Sequence, residues 1–243
     1  MRNVITIGWR ELRHYFVSPV AYAVATAIFL ILGIIFFLNI DVGMRGGQIP
    51  PDGRIVISPL ITILLFTTPA ITMRLLADEN RMGTIELVLT SPVRDWELVV
   101  GKWLGSFAFM FLLLAITWVY PIIINQMTDP GIDQGVLVSA YLGLLAMVSS
   151  LIAIGVFISS LFTSSAAAFF TTLAVMLGLW IVGGFGSGAG TGSEIARSLS
   201  FVDQYYDNLF IGILDIADLL YYISLTALAL FLGSRVIEAR RWR

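Results

Sequence analysis

The sequence predicts an all-α integral membrane protein with six transmembrane helices, an N-terminal interfacial amphipathic helix, and a short cytoplasmic helix between the second and third spans. Three observations carry that prediction. Of 243 residues, 58% are hydrophobic and only 12% charged, whereas an ordinary soluble domain carries about 25% charged residues. The apolar residues fall in long uncharged runs, close to the ~20 residues that a helix needs to cross roughly 30 Å of hydrocarbon. The runs are continuous rather than alternating, which favours helices over a spanning β-barrel.

Composition also closes several function classes. The formal net charge is -2, so there is no basic excess to neutralise nucleic-acid phosphates, and no nucleic-acid partner is expected. Without cysteine there are no disulfides, no thiolate catalysis and no Cys-ligated metal. A single histidine, His14, builds no His-based metal cluster. No Ser–His pair, Asp–Asp pair or His-Glu-x-x-His set lies within the spans, which argues against an intramembrane enzyme. No ionisable residue occupies the middle of a span, which argues against a proton-coupled carrier.

Along the chain, residues 3–16 read as an amphipathic helix lying in the membrane interface. Val4, Ile5, Gly8, Trp9, Leu12, Tyr15 and Phe16 share one face, and Arg2, Thr6, Arg10 and Arg13 the other. Ser18-Pro19 breaks that helix and starts the first span, residues 18–40. No A-x-A site follows, so the run reads as a retained span and not a signal peptide. An irregular Gly- and Pro-rich outer loop leads to the second span, residues 55–75, which holds Pro59 and Pro69. The third span is expected at 98–124, with Pro121 bending its outer end.

Residues 134–193 carry no charge and are long enough for two spans, 136–161 and 164–184, divided at the polar turn Leu161-Phe162-Thr163-Ser164-Ser165. Small residues there, Gly143, Ala146, Ser150, Ala153, Gly155 and Ser159, allow close helix packing. The glycine-rich stretch that follows lacks the Lys-Ser/Thr of a Walker A motif and reads as a hinge. Residues 194–212 mix acids with aromatics, as a re-entrant or interfacial segment on the outer side would. The sixth span is expected at 214–237. With both termini inside, eleven of the fourteen Lys and Arg residues fall on inner segments and only Arg45, Arg54 and Arg197 outside, as the positive-inside rule requires.

The densest polar stretch is the inner segment 78–95. Gly83 is suited to end the helix leaving the second span. Thr84 can N-cap a short new helix, with Glu86 favoured near its positive end, and Ser91-Pro92 stops it. Asp95 can cap the helix that enters the third span. The apolar Ile85, Val88 and Leu89 then need a surface, either lipid headgroups or a partner protein. Glu79 and Glu86 read as partner contacts or helix stabilisers, not as catalytic carboxylates. Arg81 and Arg94 pair with them, or with anionic lipid, or anchor the inner side.

Glu79-x-x-x-Gly83-Thr84-x-Glu86-Leu87-x-Leu89-x-Ser91-Pro92 resembles the ABC-2 type permeases, the membrane subunits of one class of ATP-binding-cassette exporters. The run Trp96-Glu97-Leu98-Val99-Val100-Gly101-Lys102-Trp103-Leu104-Gly105 continues the likeness. The opening Trp9-Arg10-Glu11-Leu12-x-x-Tyr15-Phe16-x-Ser18-Pro19 is most similar to permeases of the gliding-motility and nitrous-oxide-reductase-maturation type. The resemblance implies a multi-pass protein of a prokaryotic cell membrane. It implies a coupling helix built from Glu79, Gly83, Thr84, Ile85, Glu86, Leu87, Val88, Leu89 and Pro92. That helix would dock on a separate ABC ATPase present in two copies, with ATP-Mg held on the ATPase and no cofactor in this chain. A second permease copy, identical or paralogous, completes such an assembly, with membrane lipids around it. A non-transporting membrane scaffold has the same topology and is the competing reading.

Overall fold

The computed structural model describes residues 2–46, 53–83, 93–129, 131–184 and 200–241; their regular elements are all helical. Six helical stretches are long and apolar enough to cross a membrane: Pro19–Gly43, Ile57–Met82, Asp95–Met127, Gln134–Leu161, Ser165–Val182 and Ile216–Arg240. The all-α membrane architecture expected from composition is therefore present. The coupling residues 84–92 and the glycines from 185 to 192 lie outside the described residues.

Helix α1 (Arg2–Val17) precedes the spans and ends where Pro19 opens α2 (Pro19–Gly46). Proline is tolerated there because a first-turn N–H has no intrahelical acceptor. The apolar face expected on α1 is divided in the structure. Gly8, Glu11 and Tyr15 are buried against α5 (Asp95–Thr117). Ile5, Trp9 and Phe16 point outward and are 64%, 56% and 50% exposed. A helix lying only on lipid would keep one apolar stripe; α1 divides its stripe between the exposed surface and a neighbouring helix.

Glycine makes the α1–α5 contact close. A Cβ at Gly105 would lie 2.6 Å from the Gly8 carbonyl oxygen, and one at Gly101 2.7 Å from the Ile7 Cβ. Small residues at a membrane helix crossing let backbones approach and so maximise packing, the main attraction available in lipid. Tyr15 fixes the register. Its hydroxyl donates to the Ile71 carbonyl at 3.2 Å and shares a 3.0 Å hydrogen bond with Ser106 Oγ, while its ring stacks on Phe109. Burial, with the nearby Glu11 carboxylate, pushes the phenol well above its ordinary pKa, so it stays protonated.

The second span is broken. Helix α3 (Ile57–Thr72) contains Pro69, and four turn residues separate it from α4 (Ala77–Met82). Exposed amides at such a break are costly beside hydrocarbon. Ser159 of α7 (Gln134–Leu161) satisfies them: its Oγ accepts from the Leu76 and Ala77 N–H groups at 3.1 Å each and donates to the Met73 carbonyl at 3.2 Å. The third span likewise breaks at Trp118, between α5 and α6 (Val119–Met127). Pro121 removes the bond to the Thr117 carbonyl and crowds it.

Helix α7 is the centre of the bundle, with 72% of its apolar window buried, against 17% for the first and fifth spans. Gly143 and Gly155 meet Leu209 and Thr72 there, and Trp103 Nε1 donates to the Ser149 carbonyl at 3.0 Å. Helix α8 (Ser165–Gly184) follows a break at residues 162–164. The described part of the acidic–aromatic segment packs into the bundle as α9 (Asp203–Asp207) and a 3₁₀ turn, Leu209–Ile211. Tyr205 is buried and donates to the Ala140 carbonyl at 2.9 Å, and Tyr222 of α10 (Ile216–Arg241) donates to the Phe201 carbonyl at 2.7 Å.

Replacing Gly105 by valine forces α1 off α5, because the added atoms meet backbone rather than a flexible side-chain end. The expected cost is about 1–3 kcal/mol, read as a lower thermal unfolding midpoint of the detergent-solubilised protein. An unchanged midpoint would show that α1 is not seated as described.

Candidate functional site

The site is built at the end of the bundle where α1, α4 and the start of α5 meet. Lys102 carries the first apolar stretch of α5 and has 3% of its side chain exposed. Its ammonium lies 2.9 Å from Glu79 Oε1 on α4 and 3.3 Å from Glu11 Oε2 on α1. Glu11 and Glu79 are themselves only 10% and 18% exposed. An ammonium removed from water costs several kcal/mol unless it is paired with good geometry. Here three helices each supply one member of the pairing, so the charges bind the helices together.

Lys102 lies between Gly101 and Gly105, the two positions where α1 approaches α5 most closely. Without that approach the short Glu11 side chain would not reach it. Glu11 in turn falls on the Gly8–Tyr15 stripe, which faces α5. Helix α4 is held from its other side as well. Asn80 Nδ2 donates to the Phe162 carbonyl at 2.9 Å and the Ser160 carbonyl at 3.3 Å. Arg240 of α10 donates to the same end of α7, at 2.9 Å to the Ser160 carbonyl. A cation and an amide there satisfy the last carbonyls of α7 and complement its dipole.

Helix α4 ends at Gly83, whose φ of 68° places it in the left-handed region that glycine adopts without a Cβ clash. The chain is next described at Val93. Its return is anchored on α1 too. Glu97 Oε2 accepts the Arg94 N–H at 3.0 Å and Asn3 Nδ2 at 3.1 Å. The N-cap of α5 is therefore Arg94, and Asp95 is the first helical residue. The cap expected at Asp95 is corrected by one position: the carboxylate that receives the free N–H is Glu97, in the first turn.

Of the residues singled out in the sequence, Glu79 and Gly83 are thus located. Glu79 points to Lys102, and Gly83 terminates α4. Thr84, Ile85, Glu86, Leu87, Val88, Leu89 and Pro92 lie outside the described residues. Arg81 pairs with Asp78 at 3.5 Å along α4, and is more than half exposed. The residues that sequence reasoning passed over are Glu11 and Lys102. Among the described residues, no group of three or more His, Cys, Asp and Glu side chains is arranged to hold a metal ion.

These features define a class: a polytopic helical membrane protein whose second and third spans are pinned to the N-terminal helix on either side of a short connecting segment. Residues 50–240 match the family described as ABC-2 family transporter protein, well over half of the chain. The chain belongs to that family, which makes it a membrane component of the ABC-transporter type. Among curated proteins none is similar enough to count as a match.

Substituting Lys102 with methionine removes the buried cation that lies between Glu11 and Glu79. That loss is expected to cost about 3–5 kcal/mol, seen as a collapse in the yield of monodisperse protein and in its unfolding midpoint. Glu11→Gln is milder, because Lys102 keeps Glu79. Equal behaviour of the two variants would contradict the three-helix pairing.

Proposed function

We propose that this chain is the permease subunit of an ABC-2 exporter, driven by a separate ATPase that docks on residues 84–92. The observation that carries the reading is that both flanks of this segment are fixed to α1, through Glu79–Lys102–Glu11 on one side and Arg94–Glu97–Asn3 on the other. A push on the segment is then delivered to a rigid base, and passes through the Ser159-held turn into the second span. ATP binding and release on the partner supply the bias between two states of the bundle.

The placement of Lys and Arg supports an orientation with the pinned end in the cytoplasm. The first and fifth spans expose most of their surface, which favours a second permease copy against them, so that two permeases and two ATPases work together. ATP-Mg then belongs to the ATPase, and this chain contributes no nucleotide site. The Trp9 to Pro19 motif supports kinship with permeases of the gliding-motility and nitrous-oxide-reductase-maturation type, and with them a place in a prokaryotic cell membrane.

Co-purification from native membranes tests the reading. Replacing Glu86 and Leu87 together by alanine is expected to lower the recovered ATPase by about ten-fold, on the order of 1.4 kcal/mol of binding, with the permease itself still folded. Recovery of no ATPase with the unaltered chain, or full recovery with the altered one, would remove the exporter reading and leave the scaffold.

A further inference from the structure

We propose that the cavity beside the charged cluster is a binding site for one anionic phospholipid, seated between the interfacial helix and the second span. The cavity, of about 590 Å³, lies against α1, the start of α2 and the end of α3 with α4. That size holds a headgroup and its glycerol. Acyl chains must leave it.

The charge balance points to an anion. Arg10, Arg13, Arg74 and Lys102 face the cavity, with the carboxylates Glu11, Asp78 and Glu79 and with His14. Each carboxylate has a cation within ion-pair distance: Glu11 and Glu79 share Lys102, and Asp78 lies 3.5 Å from Arg81. Among the described residues no carboxylate lies within ion-pair distance of Arg10, Arg13, Arg74 or His14. Three arginines therefore remain for a phosphate, which guanidinium groups bind bidentately. Arg13 lies 5.1 Å over the Trp9 ring, a residue type that sits at headgroup depth.

The apolar wall points to a lipid rather than a free anion. Val17, Val20 and Ala21 at the α1–α2 corner and Ala70 on α3 line the cavity beside the arginines. Val17 is 79% exposed. Val17 opens the wall outward, which gives acyl chains a way out along the part of the first span that a second copy leaves uncovered. A soluble phosphate gains nothing from that wall, and a peptide partner would leave the spans uncovered.

Native mass spectrometry of the full chain, purified with any bound partner, tests the site. Phosphatidylglycerol is expected to remain bound at roughly ten-fold lower added concentration than phosphatidylcholine, because the cations near the headgroup favour the anionic lipid. The preference should vanish in the triple variant Arg10→Gln, Arg13→Gln, Arg74→Gln and survive in the matching lysine variant. Equal retention of the two lipids, or displacement of phosphatidylglycerol by millimolar inorganic phosphate, would overturn the proposal; both are read on the unaltered chain, so failure of the glutamine variant to fold leaves it testable. If that variant folds and keeps its lipid but loses a co-purified protein, the arginines serve the protein partner and the lipid site is wrong.

Discussion

A lysine ammonium at the edge of the hydrocarbon is expensive to hold, and Lys102 is held by two carboxylates from two other helices. That requirement constrains everything around it. Glu11 reaches Lys102 only because Gly8, Gly101 and Gly105 let α1 and α5 touch nearly backbone to backbone. Glu79 reaches it only because the second span breaks after Thr72 and restarts as α4. The break in turn is acceptable because Ser159 takes up the freed amides. Removing any one of these leaves another polar group without its partner in a region where water is scarce.

The breaks in the spans share a rule. Three of the places where the helical ladder is interrupted are served by a side chain from a neighbour or from the turn before. Ser159 serves the second span. In the third, Thr117 Oγ1 donates to the Leu114 carbonyl and shares a 2.9 Å hydrogen bond with the Tyr141 hydroxyl. Asn80 and Arg240 serve the end of α7. In water, solvent would do this work and the breaks would carry no information about neighbours. In a membrane each break specifies a contact, which is how a fold with little polar surface still acquires a defined helix arrangement.

That difference explains what the sequence disclosed. Six spans were legible, because length and hydropathy are local properties. The helix stops at Gly83 and before Pro19 were legible for the same reason. The charged cluster was not. Lys102 reads in sequence as one more cation of the positive-inside set, and Glu79 as a residue for a partner. Neither sequence spacing nor charge count brings residue 11 near residue 102. One signal did exist: Glu11 stands on the same helical stripe as Gly8 and Tyr15, an acid on a face otherwise built for packing. An acid in that position demands a buried cation, and a lysine flanked by glycines at 101 and 105 is the matching demand on the other helix. The division of the α1 face was hidden too, since Ile5, Trp9 and Phe16 are as apolar as the residues that pack inward.

The same cluster decides how force would travel. Helix α4 has six residues, far fewer than the ~12–15 an isolated helix needs to be even marginally stable in water. It persists because its residues are tied outward: Ala77 to Ser159, Glu79 to Lys102, Asn80 to the end of α7. A helix stabilised by its own ladder could be displaced as a unit while its neighbours stayed put. One stabilised by its ties cannot move without moving α5, α7 and, through Glu11, α1, or else giving up the pairing of a buried charge. Displacement of the segment after Gly83 is therefore resisted by the cost of exposing or orphaning Lys102, and the easier outcome is a joint movement of the helices it holds.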